Sequence, residues 1–136
     1  MRRSLVIAIA AIVLGLSAIM GHAEKGTKES MRKKLNYAQG VLEGLTLQQF
    51  DLVVTNATLL RDMNQTNAFS RLKFPLYVAC STNFLHAVNE LINAAKSEDL
   101  DRATAAYARV TRNCVDCHQT FRREQFVKAQ KKAAAK

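Results

Sequence analysis

The stretch LDRATAAYARVTRNCVDCHQTF, residues 100–121, decides the predicted fold. Its apolar and cysteine positions alternate in steps of three and four, which is the spacing of one face of an α-helix. The positions on that face are Leu100, Ala103, Tyr107, Val110, Cys114, Cys117 and Phe121. We therefore predict a long helix that begins after an N-cap at Asp99, ends near Phe126 and buries both cysteines.

A first helix is predicted upstream from Lys28 to Glu43, with Gly44 as its end. Apolar residues at steps of four and three define its predicted inward face. These residues are Met31, Leu35, Ala38, Leu42 and Leu45.

Two further helices are predicted between these segments. Thr46 and Gln49 have the spacing of a capping box, which begins a second helix over residues 47–63. Pro75 suits the first turn of a third helix over residues 75–95, because proline has no N–H to lose there. The short connections after the first and third helices make neighbouring helices antiparallel. The sequence therefore predicts an all-α fold, an antiparallel up-down-up-down four-helix bundle.

Residues 1–23 have the pattern of a secretory signal peptide. Arg2 and Arg3 precede an apolar run, and the GHA sequence that ends at Ala23 is of the small-x-small type cut by signal peptidase. We predict cleavage near Ala23, export to the periplasm and one mature domain over residues 24–136. An uncleaved anchor helix is the alternative, since the run is at the short edge of what spans a bilayer.

The chain is basic, with 20 Lys and Arg against 11 Asp and Glu. Without the two signal arginines, the mature charge is 18 − 11 = +7. This charge favours acidic proteins or acidic membrane surfaces as partners, and nucleic acid is not expected for an exported protein. The basic end KAQKKAAAK, residues 128–136, is interpreted as a solvated helix end, with a docking patch for acidic partners as the alternative.

The CVDCH sequence, residues 114–118, is the attachment motif of c-type haem. Cysteines three apart on a helix lie on one face, so both thiols reach the two vinyl groups of one haem. His118, directly after the second cysteine, supplies the proximal ligand of the iron. The two residues between the cysteines need not touch the ring.

Other chemistries of the two motif cysteines are less well supported. A zinc site would need Cys80 and His86 as further ligands, but a Cys and a His six apart on a helix converge poorly. A thioredoxin-like redox pair expects a βαβ context, and no strand pattern is visible. A disulfide three residues apart on one helix would constrain very little. We interpret Cys80 as a small buried residue and place His86 off the inward face of its helix.

The nine residues CVDCHQTFR, 114–122, continue the motif in the pattern C-x-x-C-H-x-x-[FY]-R. With the long helix before them, they resemble the cytochrome c prime and cytochrome c-556 family, whose members carry the motif on the last helix of a bundle. Phe121 and Arg122 both match. The resemblance covers the mature chain in layout, but only about 30 residues carry specific motifs.

The resemblance implies one covalent haem c, attached through Cys114 and Cys117, with His118 as the axial ligand of the iron. It places Arg122 near the haem propionates or the proximal imidazole, where a cation would shift the redox potential.

The resemblance also assigns the opposite, distal side of the iron to the first helix. Apolar residues three, seven and ten positions later make Leu35 the expected blocker of that side. Many members carry Arg four residues before the distal position, whereas this chain has Met31 there and Arg32 next to it. Met31 as an iron ligand and Asn36 as the distal residue are therefore alternatives, and Met63 is an outside candidate.

Three functions follow from these expectations. The leading one is single-electron transfer with acidic redox partner proteins, without substrate turnover. The alternative is binding of small gases, nitric oxide or carbon monoxide, at a face guarded by Leu35. An enzyme is not expected, because the first helix offers no distal acid–base residue. The family also forms homodimers, and Val41 outside the predicted inward face weakly favours one.

Overall fold

The computed structural model describes residues 28–65 and 75–134. Four α-helices follow one another in these two ranges and no strand occurs there. They are α1 over 28–46, α2 over Phe50–Gln65, α3 over Pro75–Lys96 and α4 over Leu100–Ala134. The predicted all-α four-helix bundle is confirmed.

The predicted signal peptide over 1–23, with its cleavage near Ala23, lies outside the described residues. None of the helices in the described ranges has the length and apolar character needed to cross a membrane. The chain divides into two compact units at the boundary between Leu35 and Asn36, so α1 belongs to both. The packing below is that of the second unit.

A three-residue turn joins α3 to α4. Glu98 has a left-handed backbone with φ 52°. The Asp99 amide then donates to the Ala94 carbonyl at 3.1 Å, which closes the end of α3. The Asp99 carboxylate accepts from the Arg102 amide at 3.0 Å, so the predicted N-cap of α4 is confirmed.

The turn between α1 and α2 has the same form. Gln48 is left-handed with φ 53°, and the Gln49 amide donates to the Gly44 carbonyl at 2.8 Å. The predicted capping box is wrong, because Thr46 lies in the last turn of α1 and its hydroxyl donates to the Glu43 carbonyl at 2.8 Å. Gly44 does not end α1 either. The helix continues to Thr46 and is terminated by the left-handed backbone of Gln48.

The hydrophobic core lies towards these two turns. Its buried members are Val41, Leu45, Val53, Ala57, Leu60, Phe84, Ala87, Val88, Leu91, Ile92, Ala94, Ala95, Ala103, Ala106 and Val110. On α4 the buried positions stop at Val110, one turn before the first motif cysteine. Cys114 is exposed and Cys117 is half-buried, so the prediction that this face buries both cysteines is wrong. The helix also continues to Ala134, beyond the predicted end.

The inward face of α1 differs from the predicted one. Leu42, expected inside, is 49% exposed, whereas Val41 is completely buried. The argument for a homodimer from an outward Val41 is therefore wrong. The inward face of α1 is rotated relative to the predicted one because α1 packs closely against α2 at two glycines. Glycines do not contribute to the apolar pattern from which the inward face was predicted.

The close approach of α1 and α2 occurs at Gly40 and Gly44. A Cβ added to Gly44 would stand 2.8 Å from a Val53 methyl and 3.0 Å from its backbone nitrogen. The three atoms nearest to a Cβ on Gly40 would all belong to the side chain of Asn56, at 2.6 to 2.8 Å. The first obstacle is partly backbone and cannot turn away. The second is a side chain that can rotate, at the cost of the hydrogen bond that the Asn56 amide donates to the Leu52 carbonyl at 2.9 Å.

We expect Gly44→Ala to lower the free energy of unfolding by about 1–2 kcal/mol, because overpacking outweighs the gain in helix propensity. Gly40→Ala is the matched control and should stay within about 0.5–1 kcal/mol of the parent, since Asn56 can rotate. Urea unfolding followed by circular dichroism measures both. An equal loss in the two variants would contradict the assigned contact.

Candidate haem-attachment site

The motif residues lie in the middle of α4, within continuous helix. Cys114 and Cys117 are reduced thiols, the first exposed and the second half-buried. His118 is exposed and Phe121 is half-buried. Helical spacing places both thiols on one face, as their spacing predicted. The two thiols and the imidazole are therefore accessible together along one side of the helix.

The residues between the two cysteines are turned to solvent. Val115 is 45% exposed. The Asp116 carboxylate accepts from the Arg112 side chain at 3.0 Å through both oxygens. The Thr120 hydroxyl donates a hydrogen bond to the Asp116 carbonyl at 2.7 Å. These contacts keep the intervening residues away from the face that carries the thiols.

Polar contacts fix α4 against α3 just before the motif. Arg109 donates to the Glu90 carboxylate at 2.8 Å from a terminal nitrogen and at 3.0 Å from Nε. The Asn113 amide donates to the Asn83 carbonyl at 3.3 Å. Exposed ion pairs contribute little energy, so these contacts serve mainly to set the register of the two helices.

A hydrogen bond from a tyrosine side chain joins α4 to α1. The Tyr107 hydroxyl donates to the Ala38 carbonyl at 2.9 Å. Burial raises the pKa of Tyr107, a hydrogen bond with Thr111 opposes this, and the nearby Cys114 adds to the rise. A phenol that stays neutral keeps its proton for the Ala38 carbonyl over a wider pH range.

Tyr77 of α3 lies beside the second cysteine in the same way. Burial raises its pKa, a hydrogen bond with Ser81 lowers it, and the proximity of Cys117 raises it. Each motif cysteine therefore has one phenol within electrostatic range. Sequence reasoning placed Tyr107 on the inward face of the last helix but missed these polar roles of the two tyrosines. A tyrosine on an apolar helix face is the signal that indicates them.

The residues considered for zinc are not gathered around the motif. The His86 side chain is 76% exposed, and its Nδ1 is 3.8 Å from the Glu90 carboxylate. Cys80 is half-buried on α3. Over residues 28–65 and 75–134, no group of three His, Cys, Asp or Glu side chains could hold a metal ion.

The remaining candidate residues are described one by one. Arg122 is exposed, one turn after His118. On α1, Leu35 is 49% exposed and Met31 is half-buried. Met63, on α2, is half-buried. The assignment of a distal residue stays a prediction.

The side chains present on α4 fit a covalent haem. Two reduced, accessible thiols and an imidazole share one side of the helix, which is the donor set of c-type attachment. Apolar rings of Tyr77 and Phe121 are half-buried in the same part of the bundle and offer surface to a porphyrin. The fold and this site together fit the class of helical c-type haem proteins that carry the attachment motif on the last helix.

Comparisons with known proteins agree with this class. The sequence model of the family described as Cytochrome C' matches residues 75–122, which contain all of α3 and α4 as far as Arg122. The crystal structure of cytochrome c' from Rubrivivax gelatinosus is similar, with a TM-score of 0.55 and 18% identity over 68% of this chain and 88% of that one. No curated protein matches the sequence. The family match includes the CVDCHQTFR stretch that carries the resemblance, and the solved structure shares the helical fold.

We expect Tyr107→Phe to lower the free energy of unfolding by about 0.5–1.5 kcal/mol, since it removes the hydrogen bond to Ala38. The parent should also lose stability as the pH rises above the usual tyrosine pKa of about 10, because the raised pKa means that the folded state disfavours the phenolate. The variant should lose less over that range. Denaturant titrations at neutral and alkaline pH measure both effects, and identical alkaline profiles would contradict the role given to Tyr107.

Proposed function

We propose that this protein is a periplasmic c-type cytochrome that carries one covalent haem and transfers single electrons without turning over a substrate. The observation that carries the proposal is the accessible Cys114, Cys117 and His118 set on the last helix of the bundle. When bound, the haem supplies one-electron chemistry through its iron.

The side chains of α4 divide the work of holding this group. The thiols of Cys114 and Cys117 would each hold the haem through a carbon–sulfur bond, formed by addition of the S–H group across a vinyl double bond. His118 would offer an imidazole nitrogen to the iron. Arg122, exposed one turn later, supplies a cation for the propionate groups.

Electron transfer is supported by how the anchoring residues are exposed. Cys114 and His118 both lie at the protein surface, where a partner protein can approach this part of α4. The positive charge of the chain favours acidic redox partners and would speed their encounter at low ionic strength.

Gas binding is the second candidate, and the apolar character of α1 favours it. Leu35 is the predicted distal residue, and its side chain is apolar and half exposed. A leucine beside the iron would give neutral diatomic ligands such as nitric oxide or carbon monoxide a dry site and would offer anions no donor. The two candidates differ in whether the iron takes a sixth ligand from the chain.

Haem attachment is tested by cysteine replacement. The double variant Cys114→Ala with Cys117→Ala should carry no covalent haem after expression with a c-type maturation system, because both thioether bonds are lost. Cys80→Ala is the matched control and should carry as much haem as the parent. Intact-protein mass spectrometry measures the attachment. A parent protein without haem, or a double variant that retains it covalently, would overturn the proposal.

Absorption and EPR spectra of the holoprotein separate the two candidates. With Leu35 distal, we expect a high-spin ferric spectrum that Met31→Leu does not change, and binding of carbon monoxide after reduction. A low-spin spectrum with a methionine charge-transfer band, lost in Met31→Leu, would reject Leu35 as the distal residue. It would favour electron transfer alone.

A further inference from the structure

The end of α4 is an exposed helix of which the proposed haem site uses only Arg122. Every residue from 122 to 134 is exposed, and at 1.5 Å per residue this segment is about 20 Å long. We name residues 122–134 the α4 extension. It includes Phe126, 65% exposed, and Val127, 47% exposed. Isolated apolar residues at the surface are common and need no explanation. Whether Phe126 and Val127 belong to a binding surface therefore depends on the charges around them.

The α4 extension is strongly cationic. Its charged residues are Arg122, Arg123, Glu124, Lys128, Lys131 and Lys132, which gives 5 − 1 = +4 over thirteen residues. The negative charge of Glu124 is paired within the segment, because the Lys128 amino group lies 3.8 Å from the Glu124 carboxylate. The segment therefore presents a concentrated positive charge at one end of the bundle.

The lysines lie opposite the apolar groups of the α4 extension, whereas the arginines do not. At 100° per residue, Phe126, Ala129 and Ala133 fall within about 60° of one another and the three lysines fall on the opposite side. Arg122 projects between Ala129 and Ala133, and Arg123 lies about 60° from Phe126, so cations surround the helix. Such a helix can lie in a membrane interface, because long cationic side chains beside an aromatic ring reach the head groups.

We propose that the α4 extension docks on an anionic lipid surface, with Phe126 and the alanine face towards the lipid. Charge complementarity favours this occupant, since phosphate head groups are spread over an area and meet cations placed all around a helix. A surface that binds an acidic protein usually has several large side chains that fill pockets on the partner. The α4 extension offers one aromatic ring beside small alanines, so a diffuse anionic surface fits it better. The proposal goes beyond electron transfer or gas binding and would place His118 about two turns of helix from the membrane.

The test uses purified holoprotein and vesicles of two compositions, phosphatidylglycerol with phosphatidylcholine in equal parts and phosphatidylcholine alone. Co-sedimentation should show binding to the anionic vesicles, released at about 0.5 M salt where screening is strong. Lys131→Gln with Lys132→Gln should weaken this binding by about tenfold or more. Phe126→Ala should weaken it severalfold without changing the salt dependence, since it removes apolar contact and no charge.

The matched control removes two cations at the other end of the bundle, through Lys96→Gln with Arg102→Gln. It should bind anionic vesicles within about twofold of the parent, and circular dichroism should show unchanged helix in all variants. Equal weakening by the control would overturn the proposal, because net charge and not the α4 extension would then drive binding. Equal binding to neutral vesicles, or binding to polyglutamate but not to anionic vesicles, would also overturn it; the last outcome would indicate an acidic protein partner.

Discussion

Among the residues whose burial the structure describes, buried apolar side chains are confined to one end of the bundle, and the rest of the structure depends on this constraint. From residue 77 onwards the buried residues of α3 begin at Phe84, and on α4 they end at Val110, so in both helices the buried part is the half next to the turn that joins them. Beyond these positions, Cys117 and Phe121 are only half-buried. A large apolar ring bound here would cover the half-buried side chains of this half of the bundle and add apolar contact area.

This arrangement fits α4 both as a structural helix and as the proposed carrier of the haem. Its first half packs closely because Ala103 and Ala106 are small and completely buried. Its second half is positioned by the first, since one continuous helix transmits the register set by Arg109 and Tyr107 to the motif. The attachment residues therefore need few contacts of their own, and their exposure is compatible with a defined position.

Much of the fold could be predicted from the sequence, since each helix carries its own apolar repeat and Asp99 is a local cap. The predictions failed where the deciding feature carries no apolar signal. α1 turns its inward face to Val41 because Gly40 and Gly44 allow a close approach to α2. The end of α1 was placed too early because Gln48 takes a left-handed backbone, which usually indicates glycine.

The site divides in the same way into a local and a long-range part. The roles proposed for Cys114, Cys117 and His118 depend on their spacing along one helix, so the sequence alone predicts them. The choice between Leu35 and Met31 depends on how far α1 is shifted along its axis, and a one-turn shift exchanges one for the other. Such a shift moves every apolar residue by about four positions and leaves the amphipathic pattern almost unchanged. The distal side is therefore governed by helix register, which a repeating pattern specifies poorly, while the proximal side is governed by covalent chemistry, which fixes each residue.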